Sequence, residues 1–250
     1  MNEMKRLLSF VRRAVDDYGL IDEGDRIAVG VSGGKDSLCL LETLCEMRRF
    51  YPKHYDVVAI TVDMGFEGQD LSEVRELCRR LHVEYRVVKT DIAKIIFEVR
   101  KEPNPCSLCA KMRRGSLHAE AVAAGCNKVA LGHHYDDAVE TFMMNLFFEG
   151  RIGCFSPKSY LSNRKITLIR PLLYATEKDV EYFTRRRRIP VVKSLCPEDH
   201  ATEREHMKQL LATLERENKG LKHRIFHAMC RSEIDGFKDC GRYPDAGKTE

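Results

Sequence analysis

The run Ile27-Ala28-Val29-Gly30-Val31-Ser32-Gly33-Gly34-Lys35-Asp36-Ser37 is the most informative stretch of this sequence. Its first five residues predict a short buried strand, and the apolar spacing that begins at Leu38 predicts a helix directly after the loop. Gly33 and Gly34 allow successive backbone N–H groups to converge on an anion, and the positive end of the helix adds to that attraction. The order strand, glycine loop, helix therefore predicts a phosphate-binding loop at the carboxyl end of a strand.

The loop residues Ser32–Ser37 supply the groups that a nucleotide triphosphate requires. The two serine hydroxyls can donate hydrogen bonds, Lys35 can supply positive charge, and Asp36 can hold a magnesium ion. The spacing matches neither G-x-x-x-x-G-K-[ST] nor G-x-G-x-x-G, which excludes a P-loop NTPase and a dinucleotide dehydrogenase. A serine-capped glycine turn with no ligand is the structural alternative, and the six matching residues disfavour it.

Strands and helices alternate on both sides of this loop. The predicted strands are 27–31, 57–62, 85–88, 128–131 and 166–170, and the predicted helices are 3–18, 38–47, 70–81, 107–124, 137–148, 177–187, 198–217 and 221–230. This order predicts an α/β fold, a Rossmann-like parallel sheet with helices on both faces. We expect an N-terminal helix in 1–24, an ATP-binding domain in 25–190, and a helical C-terminal extension in 191–250 that is not independent.

Composition excludes several classes of protein. The chain has 250 residues, 43% hydrophobic and 32% charged, with a net charge of +4, which is ordinary for a globular protein. No apolar run approaches the ~18 residues of a membrane span, and no secretory signal is visible at the start. We therefore expect a cytoplasmic protein with no membrane partner, whose ten cysteines are free thiols or metal ligands.

The second strong motif is Cys106-Ser107-Leu108-Cys109, at the start of a predicted helix. Cysteines at this spacing point to the same side of a helix and can bind one metal centre. Taken alone, the pair allows three interpretations: a redox pair, half of a zinc site, or part of an iron–sulfur cluster. A zinc site would need two more ligands, which Cys196 and His200 could supply.

These motifs together resemble a known family. Gly30–Ser37 resembles the pyrophosphate loop of the ATP-pyrophosphatase (PP-loop) superfamily, and Leu131–Asp137 with Glu140-Thr141 resembles the second block of its tRNA-modifying branch. Ile169–Leu172 with Glu177–Asp179 resembles the next block. Pro105–Gly115 together with Cys196 is similar to the tRNA 2-thiocytidine synthetase family, and the similarity covers nearly the whole chain.

The resemblance implies a fold of the PP-loop type, Mg²⁺ and ATP as ligands, and a [4Fe–4S] cluster. The ATP-binding residues it implies are Ser32, Gly33, Gly34, Lys35, Asp36, Ser37, Asp63, Met64 and Gly132, and the cluster ligands are Cys106, Cys109 and Cys196. The catalytic residues are expected to be Asp36, Asp137 and Arg113. Asp63 and Met64 follow a predicted strand, and Asp137 opens a helix where Asp136 is an alternative N-cap. Three cysteines leave one iron without a protein ligand, where the sulfur to be transferred can be held.

The implied substrate is tRNA. The resemblance implies adenylation of O2 of a cytidine and its replacement by sulfur from a cysteine desulfurase or free sulfide; a homodimer is compatible with the sequence. Residues 150–176 contain no acid, and Arg185–Arg188 is a basic run that favours phosphate contacts. We expect tRNA contacts from Arg114, Arg151, Lys158, Arg170 and Arg186.

Two other functions compete with this one. The first is a PP-loop enzyme of another class, a lysidine-type ligase or a thiolase for another base, with cysteines that hold zinc. The second is a tRNA-binding redox sensor without catalysis. The set Cys106, Cys109 and Cys196 disfavours the ligase, and the intact loop Ser32–Ser37 disfavours the sensor.

Overall fold

The computed structural model describes residues 3–100, 105–192, 195–197 and 203–239. The helices are α1 (Glu3–Asp17), α2 (Lys35–Met47), α3 (Ser72–Arg80), α4 (Pro105–Ala123), α5 (Tyr135–Phe148), α6 (Glu177–Arg187), α7 (Glu203–Glu217) and α8 (Leu221–Arg231). The strands are β1 (Asp25–Gly30), β2 (Tyr55–Asp63), β3 (Glu84–Lys89), β4 (Lys128–Ala130), β5 (Lys158–Leu161) and β6 (Ile166–Ile169). A π-helical segment (Lys94–Val99) and a 3-10 turn (Ile234–Gly236) complete the described elements.

The six strands form one sheet in the order β3-β2-β1-β4-β6-β5. All neighbours are parallel except β5 and β6, which pair antiparallel. The predicted α/β fold with a parallel sheet is therefore confirmed, and the structure adds one antiparallel edge strand, β5. Strand β5 was not predicted, because the stretch Lys158-Ser159-Tyr160-Leu161 is mostly polar.

Each face of the sheet packs against its own apolar cluster, because side chains alternate along a strand. Ile27 and Val29 of β1 lie in the larger cluster with α1–α3 and α5–α8, whereas Ala28 lies in a smaller cluster with Leu117 and Ala121 of α4. The helix that carries Cys106, α4, and the helix that follows the loop Ser32–Ser37, α2, thus pack on opposite faces. Within the described residues, no helix is long and apolar enough to span a membrane.

The carboxyl edge of the sheet gathers the predicted motifs. Strand β1 lies at the centre, flanked by β2 and β4, so the loops that follow these three strands are neighbours. Helix α4 follows β3 and precedes β4 in the chain. Its N-terminus therefore lies at the carboxyl edge of the sheet, and its C-terminus lies near the start of β4. The predicted helix 198–217 is observed from Glu203, and residues 198–202 and the tail 240–250 lie outside the described residues.

Candidate nucleotide site and its neighbouring thiols

The loop after β1 is held by its own serines. The hydroxyl of Ser37 accepts a hydrogen bond from the Ser32 N–H at 3.1 Å and donates to the Gly34 carbonyl at 2.9 Å. Gly34 is the N-cap of α2, with no side-chain cap. The first N–H groups of a helix have no intrahelical acceptor, so those of Lys35 and Asp36 are available to an anion. The loop has the polarity and shape of a phosphate cradle.

Two close approaches leave no room for side chains around this loop. A Cβ on Gly132 would lie 3.1 Å from the backbone carbonyl carbon of Asp36 and from the backbone nitrogen of Ser37. Gly33 has φ +89°, and a Cβ there would lie 3.1 Å from Cβ of Val192. The Val192 N–H also donates to the Gly33 carbonyl at 2.9 Å. The segment before Cys196 is therefore tied directly to the phosphate loop.

We expect Gly132→Ala to weaken ATP binding, because the added methyl group pushes the backbone of Asp36 and Ser37 out of position. The affinity should fall by roughly tenfold and stability by about 1–3 kcal/mol, the range for an overpacked site. Titration with MgATP and thermal unfolding measure the two effects. Gly115→Ala is the matched control, since a Cβ at Gly115 meets nothing within 4 Å. Unchanged ATP affinity in Gly132→Ala would contradict this account.

Lys35 is held in an ion-pair chain that crosses three elements. Its Nζ lies 3.2 Å from Oδ1 of Asp36 and 3.0 Å from Oε1 of Glu177, in the first turn of α6. The same Glu177 oxygen accepts a hydrogen bond from Nζ of Lys208 on α7 at 2.8 Å. Burial alone would raise the pKa of Glu177, but the bonds from Lys208 and Lys35 lower it to about 2. Glu177 is therefore a carboxylate shared by two ammonium groups at neutral pH.

Asp36 has the features of a magnesium ligand. Its Oδ1 is buried and accepts no hydrogen bond of good geometry from the described residues, although Nζ of Lys35 lies 3.2 Å away. Nε2 of His134 lies 3.8 Å from the same oxygen. A buried carboxylate oxygen without a hydrogen bond is a ready oxygen ligand for a hard cation. The donor set thus fits the Mg²⁺ that accompanies ATP.

Asp137 lies in the first turn of α5 and forms a capping box with His134. Its Oδ2 accepts the His134 N–H at 2.9 Å, while the His134 ring accepts the Asp137 N–H, a capping box. The N-cap is therefore His134, and the alternative assignment of Asp136 as N-cap is wrong. Asp136 instead accepts the backbone N–H of Glu177 and the ammonium of Lys222, both within 2.8 Å. Of the two aspartates, Asp137 is the one that faces His134 and, through it, Asp36.

Two cations of this site, Arg204 and Lys208, were not predicted from the sequence. Arg204 on α7 lies 3.3 Å from Oε2 of Glu140 and 3.7 Å from Oδ1 of Asp137. Glu140 is buried, and burial raises the pKa of its carboxyl group. The positive charge of Arg204 offsets part of this rise. Lys208, one turn after Arg204, completes the set through Glu177. The only signal in the sequence is the spacing of four residues, which places both cations on one side of α7.

Asp63 and Met64 lie at the carboxyl end of β2, next to the phosphate loop. Thr90 binds the carbonyl of Asp63 through both its N–H and its hydroxyl, at 3.0 and 2.7 Å. The Asp63 carboxylate accepts the N–H of Gly65 at 2.9 Å, and the Met64 carbonyl accepts that of Ala93. The turn is thus rigidly held at the edge where we predicted contact with the nucleotide, a role that stays a prediction.

The structure brings the three predicted cysteines into one neighbourhood. Cys106 and Cys109 lie in the first turns of α4, and Cys196 lies four residues after Val192, which is bound to Gly33. Burial raises the pKa of the Cys109 thiol, and the nearby Cys196 and Cys106 raise this pKa further. The positive charge of Arg113 lowers it. As they stand they do not close a metal site: no three Cys, His, Asp or Glu side chains in the described part of the chain meet around one. The soft thiolate donors fit an iron–sulfur cluster, and the alternative zinc ligand His200 lies outside the described residues.

Arg170 does not lie on the surface as the sequence predicted. It is 7% exposed, its guanidinium lies over the ring of Phe155 at 4.7 Å, and it donates to the Ser156 carbonyl. Its Nε also donates to Nδ1 of His133 at 3.3 Å. Burial and the nearby guanidinium lower the pKa of His133 to about 4, so the ring is neutral and carries its proton on Nε2. Arg170 is therefore a buried support for His133, and its predicted contact with tRNA stays a prediction.

The other predicted tRNA contacts are exposed. Arg114, Arg151, Lys158 and Arg186 all lie at the surface. Arg113, one turn after Cys109, is exposed as well. Within the basic run of α6, Arg187 turns inward to Glu42 and Glu46 at 2.6 and 2.9 Å. The tRNA role of the exposed residues stays a prediction.

Comparison with known proteins identifies the family of this chain. A family model described as a PP-loop domain matches residues 4–214. A tRNA-cytidine(32) 2-sulfurtransferase of Citrifermentans bemidjiense is 42% identical over 90% of this chain and 89% of its own. The Geotalea daltonii protein of the same name is 43% identical over 90% of each chain.

A solved structure gives the same result. The U34-tRNA thiolase NcsA from Methanococcus maripaludis, solved with its [4Fe-4S] cluster, superimposes with a TM-score of 0.78 at 26% identity. The match covers 92% of this chain and 78% of that one. These findings confirm the resemblance predicted from the motifs. The chain belongs to the PP-loop family and, within it, to the tRNA-cytidine 2-sulfurtransferases.

Proposed function

We propose that this protein is an ATP-dependent tRNA sulfurtransferase that converts a cytidine of tRNA, at position 32, to 2-thiocytidine. The observation that carries the proposal is the bond between Val192 and Gly33, which ties the segment before Cys196 to the phosphate loop. Thiol ligands and a nucleotide site at the same edge are what a two-step activation and sulfur insertion requires. The named relatives at 42 and 43% identity support the cytidine and its position.

The first step is adenylation. O2 of the cytidine attacks the α-phosphorus of ATP, an O–P bond forms, and pyrophosphate leaves. The N–H groups of the loop and Lys35 hold the β- and γ-phosphates, where negative charge accumulates on the leaving group. Asp36 and Asp137 would hold Mg²⁺, which neutralises phosphate charge when bound.

The second step replaces oxygen by sulfur. A sulfur nucleophile attacks C2, and AMP leaves with the former O2, so that C=O becomes C=S. Cys106, Cys109 and Cys196 would hold the [4Fe–4S] cluster, which when bound offers one iron without a protein ligand for the incoming sulfur. Arg113 lies one turn from Cys109 and is proposed to stabilise charge that develops on the adenylated base.

Substrate access follows from the surface. A base in a single-stranded loop can be splayed out at low cost, and basic side chains near the edge would hold the backbone phosphates. We assign this role to Arg114, Arg151, Lys158 and Arg186. The sulfur donor (a cysteine desulfurase or free sulfide), the cytoplasmic location and a homodimer stay predictions of this proposal.

The test is direct detection of the product. Anaerobically reconstituted protein is incubated with MgATP, sulfide and an unmodified tRNA that carries C32, and the nucleosides are analysed by mass spectrometry. We expect 2-thiocytidine together with one AMP and one pyrophosphate per product, and none of the three without ATP. The same tRNA with U32 is the control. AMP formation with another modified base, or with an amino acid joined to the base, would contradict the proposal.

A further inference from the structure

The chain of ion pairs from α7 to the phosphate loop has a consequence for nucleotide binding. Oε1 of Glu177 is the single oxygen that binds both Nζ of Lys35, at 3.0 Å, and Nζ of Lys208, at 2.8 Å. Lys35 is also paired with Asp36. Lys35 of the loop is thus paired with two carboxylates. The second cation that balances their charge is Lys208 of α7.

Lys208 is fixed in this position by the helix that carries it. Met207 and Leu211 of α7 are each 1% exposed and belong to the larger apolar cluster. Arg204, one turn before Lys208, is bound to Glu140 and Thr141 of α5. The side chain of Lys208 is 40% exposed and that of Glu177 is 19% exposed. The pair therefore lies at the rim of the site, where loss of the Lys208 charge weakens the attraction of the site for an incoming anion.

We propose that Lys208 is a positioning residue of the nucleotide site, which acts through Glu177 to keep Lys35 available to the phosphates of ATP. Because both ammonium groups share one oxygen, Lys208 weakens the hold of Glu177 on Lys35. Without Lys208, the Lys35 charge is overcompensated by Asp36 and Glu177, and the loop becomes repulsive to a polyphosphate. The proposal rests on the ATP-dependent function proposed above.

The expected result is selective for the β- and γ-phosphates. Lys208→Met should weaken binding of MgATP and of pyrophosphate by roughly tenfold, the size of one lost charge near a protein surface. Binding of AMP should change by less than about twofold, because it lacks the phosphates that Lys35 holds. A loss of fold would weaken all three ligands equally, so the comparison separates positioning from structural damage.

The decisive experiment is a double-mutant cycle measured by calorimetric titration of MgATP, pyrophosphate and AMP. The proteins are wild type, Lys208→Met, Glu177→Gln and the double variant, with unfolding temperatures recorded for each. In the Glu177→Gln background, Lys208→Met should have little further effect, because the carboxylate through which Lys208 acts on Lys35 is gone. Lys208→Arg should behave as wild type, and Lys219→Met, at an exposed position beyond the end of α7, is the matched control.

Three outcomes would overturn the proposal. Equal losses in the wild-type and Glu177→Gln backgrounds would show that Lys208 contacts the phosphates itself. No loss in either background would show that it has no role, and an equal loss for AMP would show a structural one. Failure of the wild-type protein to bind MgATP would instead contradict the proposed function.

Discussion

An Asp36→Asn variant is expected to lose at least roughly 10³-fold in ATP turnover, the several kcal/mol that a metal ligand supplies to the transition state. The buried Oδ1 of Asp36 accepts no hydrogen bond of good geometry from the described residues, and an amide keeps its size but not its charge. The measurement is release of AMP and pyrophosphate in the presence of tRNA.

The control for this variant is Asp56→Asn, whose side chain is 70% exposed and pairs with Arg26 away from the phosphate loop. It removes the same charge and should retain full turnover. The unfolding temperature of Asp36→Asn should stay near that of wild type, since the ion pair that it loses with Lys35 is partly exposed to solvent and Lys35 keeps its pair with Glu177. Turnover in Asp36→Asn within tenfold of wild type would remove Asp36 from the metal site.

The second large effect is expected for Cys196→Ala, which should abolish thiolation while ATP binding persists. Loss of an outer-sphere partner of a metal ligand already costs about 10–100-fold, so loss of a ligand should cost at least that much in 2-thiocytidine. Iron and acid-labile sulfide are measured after anaerobic reconstitution. We expect about four of each per wild-type chain and a marked loss in the variant.

Cys126→Ala is the matched control for the cysteine experiment. Cys126 belongs to the same smaller apolar cluster as α4 but lies just before β4, at the opposite edge of the sheet. This variant should retain its iron. Stoichiometric zinc without iron in the wild-type protein, under strict anaerobic conditions, would contradict the cluster and favour a PP-loop enzyme whose cysteines are structural.

The parts of the fold that the sequence predicted are those governed by local pattern. An apolar run followed by Ser32–Ser37 specifies a strand, a glycine turn and a helix within a dozen residues, and neighbouring strands add their loops at the same edge. Strand β5 has no such pattern. Its residues form a strand because they pair with β6, a contact that tertiary structure supplies.

The errors at the site have a common physical cause. From the sequence, Arg170 is interpreted as a surface cation because isolated charges are rarely buried. In the structure its guanidinium is buried, with a cation–π contact to Phe155 and hydrogen bonds to Ser156 and His133. Lys208 and Arg204 read as solvated charges of an amphipathic helix, and their partners lie 31 and 64 residues away. Periodicity reports which face of a helix is polar, but it carries no information on which distant carboxylate that face meets.

The packing of α4 and α2 on opposite faces of the sheet has a consequence for how oxidation affects the protein. Exposed thiols such as Cys106 are the first groups to oxidise, and damage there affects a helix that packs on the smaller apolar cluster alone. The larger cluster, which supports the nucleotide loop, does not depend on it. We therefore expect reversible oxidation at Cys106, to a sulfenic acid or a disulfide, to leave the nucleotide loop folded, so that a reductant restores the thiol without refolding of the protein.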